Sequence, residues 1–167
     1  MKRPILTFGL VGCLAIGGYF GLRAFAAEPG SEAIQWHSDI FKAHDESVKT
    51  DRPMLILISS DGCPPCLKLK SSTLSDPRIA RFVNQAFVPV KLDFEKDARI
   101  IEILEVEHIP TTVVLSPEAD LLGRLVGYAS VQDYYKALDK TRQIQGKIDS
   151  LRQAAAVNGE LLAIFLL

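Results

Sequence analysis

The sequence predicts an α/β sandwich with a mixed sheet, because segments with strand and helix patterns alternate along most of its 167 residues. Met54 to Ile58 is a continuous apolar run after Pro53, which is typical of a strand buried on both faces. Residues 111–115 and 121–126 are two short apolar runs joined by a polar turn, and this pattern predicts an antiparallel hairpin. A sheet with both parallel and antiparallel neighbours follows.

The other elements are predicted from apolar spacing in chain order. Ser38 or Asp39 can cap a first helix, whose predicted inner face comprises Ile40, Phe41, Ala43, His44, Ser47 and Val48. Further helical patterns include Leu67 and Leu69, then Ile79 to Val83 after Pro77, then residues 97–105, and a second strand is predicted over 87–92. Gly127 would close the hairpin. A last helix is predicted from Val131 to at least Ile144, with Leu138 and Ile148 on its inner side.

Composition excludes several classes of protein. Hydrophobic residues make up 48% and charged residues 23%, so the chain can build a core and is not disordered. Nineteen basic and twenty acidic residues give a net charge of −1, which provides no electrostatic reason to expect a nucleic-acid partner. The length fits one domain and a short extra segment.

Residues 1–26 have the pattern of an export signal. Lys2 and Arg3 precede an uncharged run over residues 4–22, and small residues at Ala24 and Ala26 predict cleavage after Ala26. The apolar run is also long enough to cross a bilayer core of about 30 Å, so a retained membrane tether through residues 4–22 is the alternative. Both interpretations place the rest of the chain outside the cytoplasm.

The chain is accordingly divided into four parts. A polar linker over 27–35 follows the signal or anchor, the main domain covers 36–145, and a C-terminal helical extension covers 146–167. Leu10 to Cys13 resembles the lipobox of bacterial lipoproteins, but the apolar run continues beyond Cys13, so we favour a membrane-inserting segment there. The apolar tail over 161–167 is too short to span a membrane.

Cys63 and Cys66 form a Cys-x-x-Cys pair directly after the first strand, at the predicted start of a helix. Helix N-terminal amides stabilise a thiolate at Cys63, and Cys66 lies one turn away, close enough for a disulfide. Pro64 and Pro65 remove two amide donors, which leaves the Cys66 amide. Fewer donors, together with the nearby negative charge of Asp61, would raise the pKa of the Cys63 thiol and favour reducing behaviour.

Two structural interpretations of the cysteine pair, a zinc site and a structural disulfide, have less support than thiol-disulfide exchange. A closed zinc site needs four ligands, and His37, His44 and His108 lack ligand spacing. A purely structural disulfide would close so small a loop that it would stabilise the fold little.

The two lysines of the helix have the opposite effect to Asp61: Lys68 and Lys70 would lower the pKa of the Cys63 thiol if they approached it.

These residues resemble the thioredoxin superfamily from about Trp36 to Arg142, with the strongest matches at Cys63-Pro64-Pro65-Cys66 and in the segment from His108 to Thr112. The resemblance implies a three-layer sandwich in which helices flank a mixed central sheet. It also implies that Cys63 is the nucleophile, that Cys66 is the resolving thiol, that Pro110 is a cis proline, and that Ile109 contacts the backbone of the substrate.

The sequence departs from the family pattern at two positions. Gly62 replaces the tryptophan before the first cysteine, and Leu57 replaces a buried acid that is thought to help proton transfer. Lys91 matches the family's lysine on the next strand. The early Trp36 and the Asp76-Pro77 break are similar to exported relatives, including the periplasmic domain of thiol:disulfide interchange reductases.

The function expected from these features is that of an exported thiol-disulfide oxidoreductase, more a reductase of protein disulfides than an oxidase. It would need no metal or bound cofactor, since the electrons reside in the cysteine pair. In the periplasm, whether soluble or anchored to the inner membrane, it would need a membrane thiol reductase as electron donor. The alternative, favoured by Leu57 and Gly62, is a redox-inactive binding or assembly module for exported or membrane proteins.

Overall fold

The computed structural model describes residues 33–165, so the signal or anchor predicted over 1–26 and most of the predicted linker lie outside the described residues. The elements in chain order are α1 (Ile40–Thr50), β1 (Met54–Ser59), α2 (Pro64–Ser72), α3 (Pro77–Ala86), β2 (Val88–Asp93), α4 (Ala98–Ile103), β3 (Thr111–Leu115), β4 (Leu121–Val126) and α5 (Val131–Phe165). Within this part of the chain, no helix is long and apolar enough to cross a membrane.

The strands form one sheet in the order β2-β1-β3-β4. β1 pairs in parallel with β2, whereas the β1–β3 and β3–β4 pairs are antiparallel. The predicted mixed sheet and terminal hairpin are therefore confirmed. In the β1–β3 pair, Ile58 lies opposite Thr111, which brings the end of β1 next to the start of β3.

Strand β1 lies at the centre of the core, because its side chains alternate between two apolar clusters. Leu55 and Leu57 point into the cluster that also contains residues of α2, α3 and α5. Met54, Ile56 and Ile58 point to the opposite face, which packs against α1 and α4. Burying one such side chain contributes about 1.5–3 kcal/mol, so the continuous apolar run stabilises both interfaces of a three-layer sandwich.

Helix α1 begins where the sequence predicts, but its inner face is narrower than predicted. The Asp39 carboxylate accepts a hydrogen bond from the Phe41 amide at 2.9 Å and caps the helix. Ala43 and Ser47 are fully buried, whereas Phe41 is 75% and Val48 57% exposed. The prediction that Phe41 and Val48 face the core was wrong, because the short side chains of Ala43 and Ser47 let the helix lie close to the sheet.

Residues 33–35 pack against the domain, although the linker was predicted to extend to residue 35. Ile34 is buried, and the Asn84 side chain hydrogen-bonds the Gln35 amide and the Ala33 carbonyl. Directly afterwards, the His37 amide donates to the Pro89 carbonyl and adds a short parallel bridge to β2. The ordered packing therefore starts before Trp36.

Helix α5 is continuous through the boundary predicted between residues 145 and 146. Beyond that point, Arg152 contacts the turn of the β3–β4 hairpin, with its guanidinium 2.7 Å from a Glu118 carboxylate oxygen and 3.6 Å from Asp120. Hydrogen bonding to Arg152 lowers the pKa of Glu118. The side of the helix extension that carries Arg152 is thus joined to the hairpin.

Gly123 in β4 provides a test of the contact between the sheet and α5. A Cβ atom added to Gly123 would lie 2.6 Å from Cγ2 of Thr141 in α5, which is far inside van der Waals contact. We expect Gly123→Ala to lower the free energy of unfolding by about 1–3 kcal/mol, the usual cost of overpacking, as measured by urea titration. Adding Thr141→Ser should restore most of the loss, because it removes Cγ2 and keeps the hydroxyl that donates to Leu138.

The matched control is Gly146→Ala on the same helix, where an added Cβ meets no atom within 4 Å. This change should leave stability unchanged or raise it by up to about 1 kcal/mol, the difference in helix propensity. An unchanged unfolding free energy for Gly123→Ala would contradict the close contact.

Candidate active site

Cys63 caps helix α2 with its sulfur atom. Its backbone is extended, with φ −98° and ψ 109°, and the Cys66 amide donates to Cys63 Sγ over 3.2 Å. Pro64 and Pro65 follow Cys63 and carry no amide hydrogen. The position of Cys63 at the N-cap and the Cys66 amide as its donor were both predicted from the sequence, and the structure confirms them.

The two cysteines of the pair are joined by a disulfide and differ in access. Their sulfur atoms are bonded, with 5.2 Å between the Cα atoms. Cys63 is half-buried, whereas Cys66 is completely buried. Exposed residues, among them Pro64 and Pro65, surround Cys63. An incoming sulfur atom can therefore reach Cys63 but not Cys66.

Ile109 lies against the disulfide, although it follows Cys63 by 46 positions in the chain. The Ile109 carbonyl oxygen is 3.9 Å from Cys63 Sγ, and the Ile109–Pro110 peptide bond is cis. The Thr111 hydroxyl donates to the carbonyl of His108 at 2.7 Å and fixes the turn that leads into β3. The structure thus brings together all four residues that the sequence singled out for this site.

The core is apolar at Leu57, on the face of β1 that packs against α2. This side chain is completely buried, and its neighbour on β2 is Lys91. The Lys91 ammonium lies 4.9 Å from the centre of the Trp36 ring, over an aromatic face. Burial lowers the pKa of Lys91, and the positive charge of Lys70 lowers it further. Trp36 itself is half-buried against the core cluster, in line with a packing role.

The two lysines of α2 have contacts of their own. Lys70 Nζ lies 3.9 Å from the exposed Asp61 carboxylate. Lys68 Nζ lies 4.3 Å from the centre of the Tyr128 ring. Asp61 and Lys70 offset each other's charge, and this weakens the repulsion between Asp61 and a Cys63 thiolate that the sequence suggested.

Sequence reasoning missed Tyr128, which belongs to the loop between β4 and α5. Gly127 adopts φ 83° and donates its amide to the Pro110 carbonyl at 2.7 Å, so this loop is tied to the cis proline. The next residue, Tyr128, is 41% exposed. The sequence feature that could have drawn attention to Tyr128 is its position directly after Gly127, at the end of β4.

This fold, with a redox-capable cysteine pair at the start of a helix, defines the class of thioredoxin-like proteins. A family model described as a thioredoxin-like domain matches residues 40–142. Since this match covers more than half of the chain, the chain belongs to the thioredoxin-like family.

A relative with similar sequence is also described as related to thioredoxin. The thioredoxin-related protein DsbJ of Chlamydia pneumoniae is 25% identical over 112 residues, which cover 60% of this chain but only 32% of DsbJ. This chain thus spans about a third of that relative.

Solved structures show the same fold. A DsbH oxidoreductase matches with a TM-score of 0.59 and 19% identity over 66% of this chain and 85% of its own. A thioredoxin from Thermus thermophilus matches with 0.58 and 24% identity over 67% and 87%. The C-terminal domain of Neisseria meningitidis DsbD in the oxidised form matches with 0.56 and 16% identity over 64% and 99%.

Proposed function

We propose that the protein is a thiol-disulfide oxidoreductase that works through Cys63 and Cys66. The observation that carries this proposal is the Cys63–Cys66 disulfide itself, whose half-buried sulfur at Cys63 lies 3.9 Å from the Ile109 carbonyl. A structural disulfide gains nothing from an accessible sulfur at a helix N-terminus, whereas exchange requires one.

The proposed reaction starts from the reduced pair. The Cys63 thiolate attacks one sulfur of a substrate disulfide, so that a Cys63–substrate disulfide forms and the substrate's S–S bond breaks. The leaving substrate thiolate takes up a proton. The Cys66 thiol then gives up its proton and attacks Cys63 Sγ, forms the Cys63–Cys66 disulfide and releases the second substrate thiolate, which takes up a proton. Two electrons pass from the cysteine pair to the substrate, and a dithiol donor must return them.

Ile109 and Pro110 are proposed to hold the substrate chain during this exchange. The loop before β3 lies beside Cys63 Sγ, and the backbone of Ile109 is close enough to pair with an extended segment around the substrate's cysteine. Pro110 is buried and its carbonyl is already engaged by Gly127, which leaves Ile109 as the residue with access to substrate.

The proposed direction is reduction of protein disulfides. The Cys63 sulfur has one backbone donor, the Cys66 amide, because Pro64 and Pro65 cannot donate. A thiolate with few donors is poorly stabilised, and the reduced form then gives up its electrons readily.

Export is proposed from residues 1–26, whose basic start, apolar run and small residues favour a cleaved signal or a retained anchor. The domain would then act in the periplasm, and a membrane thiol reductase would supply its electrons. Protein sequencing of the mature N-terminus distinguishes cleavage after Ala26 from retention of the tether.

A second candidate function is a redox-inactive module that binds or assembles exported or membrane proteins. The buried Leu57 favours this alternative, since no carboxylate occupies that position to take the proton from the resolving thiol. Gly62, which stands where the family has a tryptophan, also favours it.

Insulin reduction separates the two candidates. With dithiothreitol as electron donor, we expect the full chain to accelerate the reduction of insulin disulfides, measured as turbidity. Cys63→Ser should lower the rate to that of dithiothreitol alone, because the attacking sulfur is gone. Cys13→Ser is the matched control and should keep the rate of the unmodified chain, since Cys13 lies in the N-terminal apolar run. Equal, near-background rates for the unmodified chain and Cys63→Ser would favour the binding module.

Equilibration with glutathione tests the direction. We expect a reduction potential nearer to that of thioredoxin, about −270 mV, than to that of DsbA, about −120 mV. The physical reason is the single amide donor at Cys63 Sγ. The fraction of disulfide is measured by mass spectrometry after acid quenching. A potential close to that of DsbA would overturn the reductase assignment and leave the exchange chemistry intact.

A further inference from the structure

The loop between β4 and α5 is fixed beside the cysteine pair by two hydrogen bonds. The Gly127 amide donates to the Pro110 carbonyl at 2.7 Å, and the Thr73 hydroxyl donates to the Ala129 carbonyl at 2.7 Å. These contacts anchor the residues before and after Tyr128 to the cis proline and to the end of α2. Tyr128 is thereby held next to the surface where a substrate would lie.

Lys68 and Tyr128 form one exposed patch on this surface. The Lys68 ammonium lies 4.3 Å from the centre of the Tyr128 ring, and the Tyr128 hydroxyl lies 3.5 Å from Oγ of Ser72. Lys68 follows Pro64 by four residues, so the two lie on the same face of α2, one turn apart. Leu67, directly after Cys66, is 53% exposed and adds apolar surface.

The positive charge of Lys68 in this patch is not balanced by an acidic side chain of the described residues. Among the residues that the structure describes, no carboxylate lies within ion-pair distance of Lys68, whereas Lys70 on the same helix lies near Asp61. Asp133 is an acidic group whose charge acts on Tyr128, and its carboxylate already accepts a hydrogen bond from the Ser130 hydroxyl at 2.6 Å. An exposed ammonium on an aromatic ring is therefore left for a carboxylate of another molecule.

We infer that Lys68 and Tyr128 select protein substrates that carry an acidic side chain beside the reactive cysteine. The inference rests on the proposed function, and it names the class of substrate for the same site. With the substrate's cysteine at Cys63 and its backbone at Ile109, the neighbouring carboxylate meets the Lys68 ammonium. The aliphatic part of that side chain lies on Tyr128 and Leu67. Lys68 and Tyr128 act on recognition and take no part in the exchange of sulfur bonds.

The test uses the reduced full chain and three peptide disulfides that differ only in the residues flanking the cysteine, which are Glu, Gln or Lys. The second-order rate constant for oxidation of the protein is measured by acid quenching and mass spectrometry. At low ionic strength we expect the Glu peptide to react about three- to tenfold faster than the Lys peptide, the size that exposed ion pairs and repulsions provide. High salt should reduce this ratio.

Variants assign the preference to the two residues. Lys68→Glu should reverse the order of the Glu and Lys peptides, and Lys68→Arg should retain the original order. Tyr128→Ala should narrow the ratio, since Lys68 loses the ring that holds it. Lys140→Glu, the same charge reversal at an exposed position on α5, is the matched control and should keep the original ratio. The Gln peptide reports any change in thiol reactivity, which cancels in the ratio.

The outcomes distinguish this inference from the proposed function. Equal rate constants for all three peptides with the unmodified chain would overturn the inference while exchange itself stands. An unchanged ratio in Lys68→Glu would also overturn it. Failure of every peptide to oxidise the reduced chain would overturn the proposed function, and the inference with it.

Discussion

The antiparallel register between β1 and β3 is the constraint on which the site depends. It places Ile58, near the end of β1, opposite Thr111, at the start of β3. The residues that follow β1 lead to Cys63, and those that precede β3 are Ile109 and Pro110. A shift of β3 by one residue would turn Thr112 away from the buried hydroxyl of Tyr134, which lies 3.0 Å from its own hydroxyl, so burial of this hydrogen bond favours the observed register. The same burial therefore brings the sulfur and the cis proline together.

The chemistry of the pair follows from what surrounds this junction. Cys63 Sγ replaces the usual oxygen of a helix cap and has one amide donor, which stabilises a thiolate but less than several donors would. Leu57 makes the core apolar on the face of β1 that packs against α2, and Lys91 lies against Trp36. The Gly127 amide extends the junction to the loop that carries Tyr128.

Local signals explain what the sequence could predict. The apolar run of β1 indicates a doubly buried strand, the polar turn after β3 indicates a hairpin, and a cysteine before two prolines indicates a helix start. Each signal is contained within a few neighbouring residues. The pairing of Cys63 with Ile109 came from the family resemblance, since periodicity carries no information about contacts between distant segments.

Tertiary contacts explain what the sequence could not predict. Phe41 fits a helical apolar pattern, yet it is exposed because Ala43 and Ser47 set the face that meets the sheet. The packing of residues 33–35 against the domain depends on Asn84, which lies on α3. The contact of Lys68 with Tyr128 joins α2 to a loop that comes much later in the chain, and neither residue has a local pattern that marks it.

Trapping of the mixed disulfide tests the central claim most directly, namely that Cys63 attacks and Cys66 resolves. The full chain with Cys66→Ser, mixed with a protein disulfide, should accumulate a covalent adduct that peptide mass spectrometry assigns to Cys63. The Cys63→Ser variant should accumulate no adduct at Cys66, because that sulfur is completely buried. Adducts formed equally at both positions, or through Cys66 alone, would contradict the account.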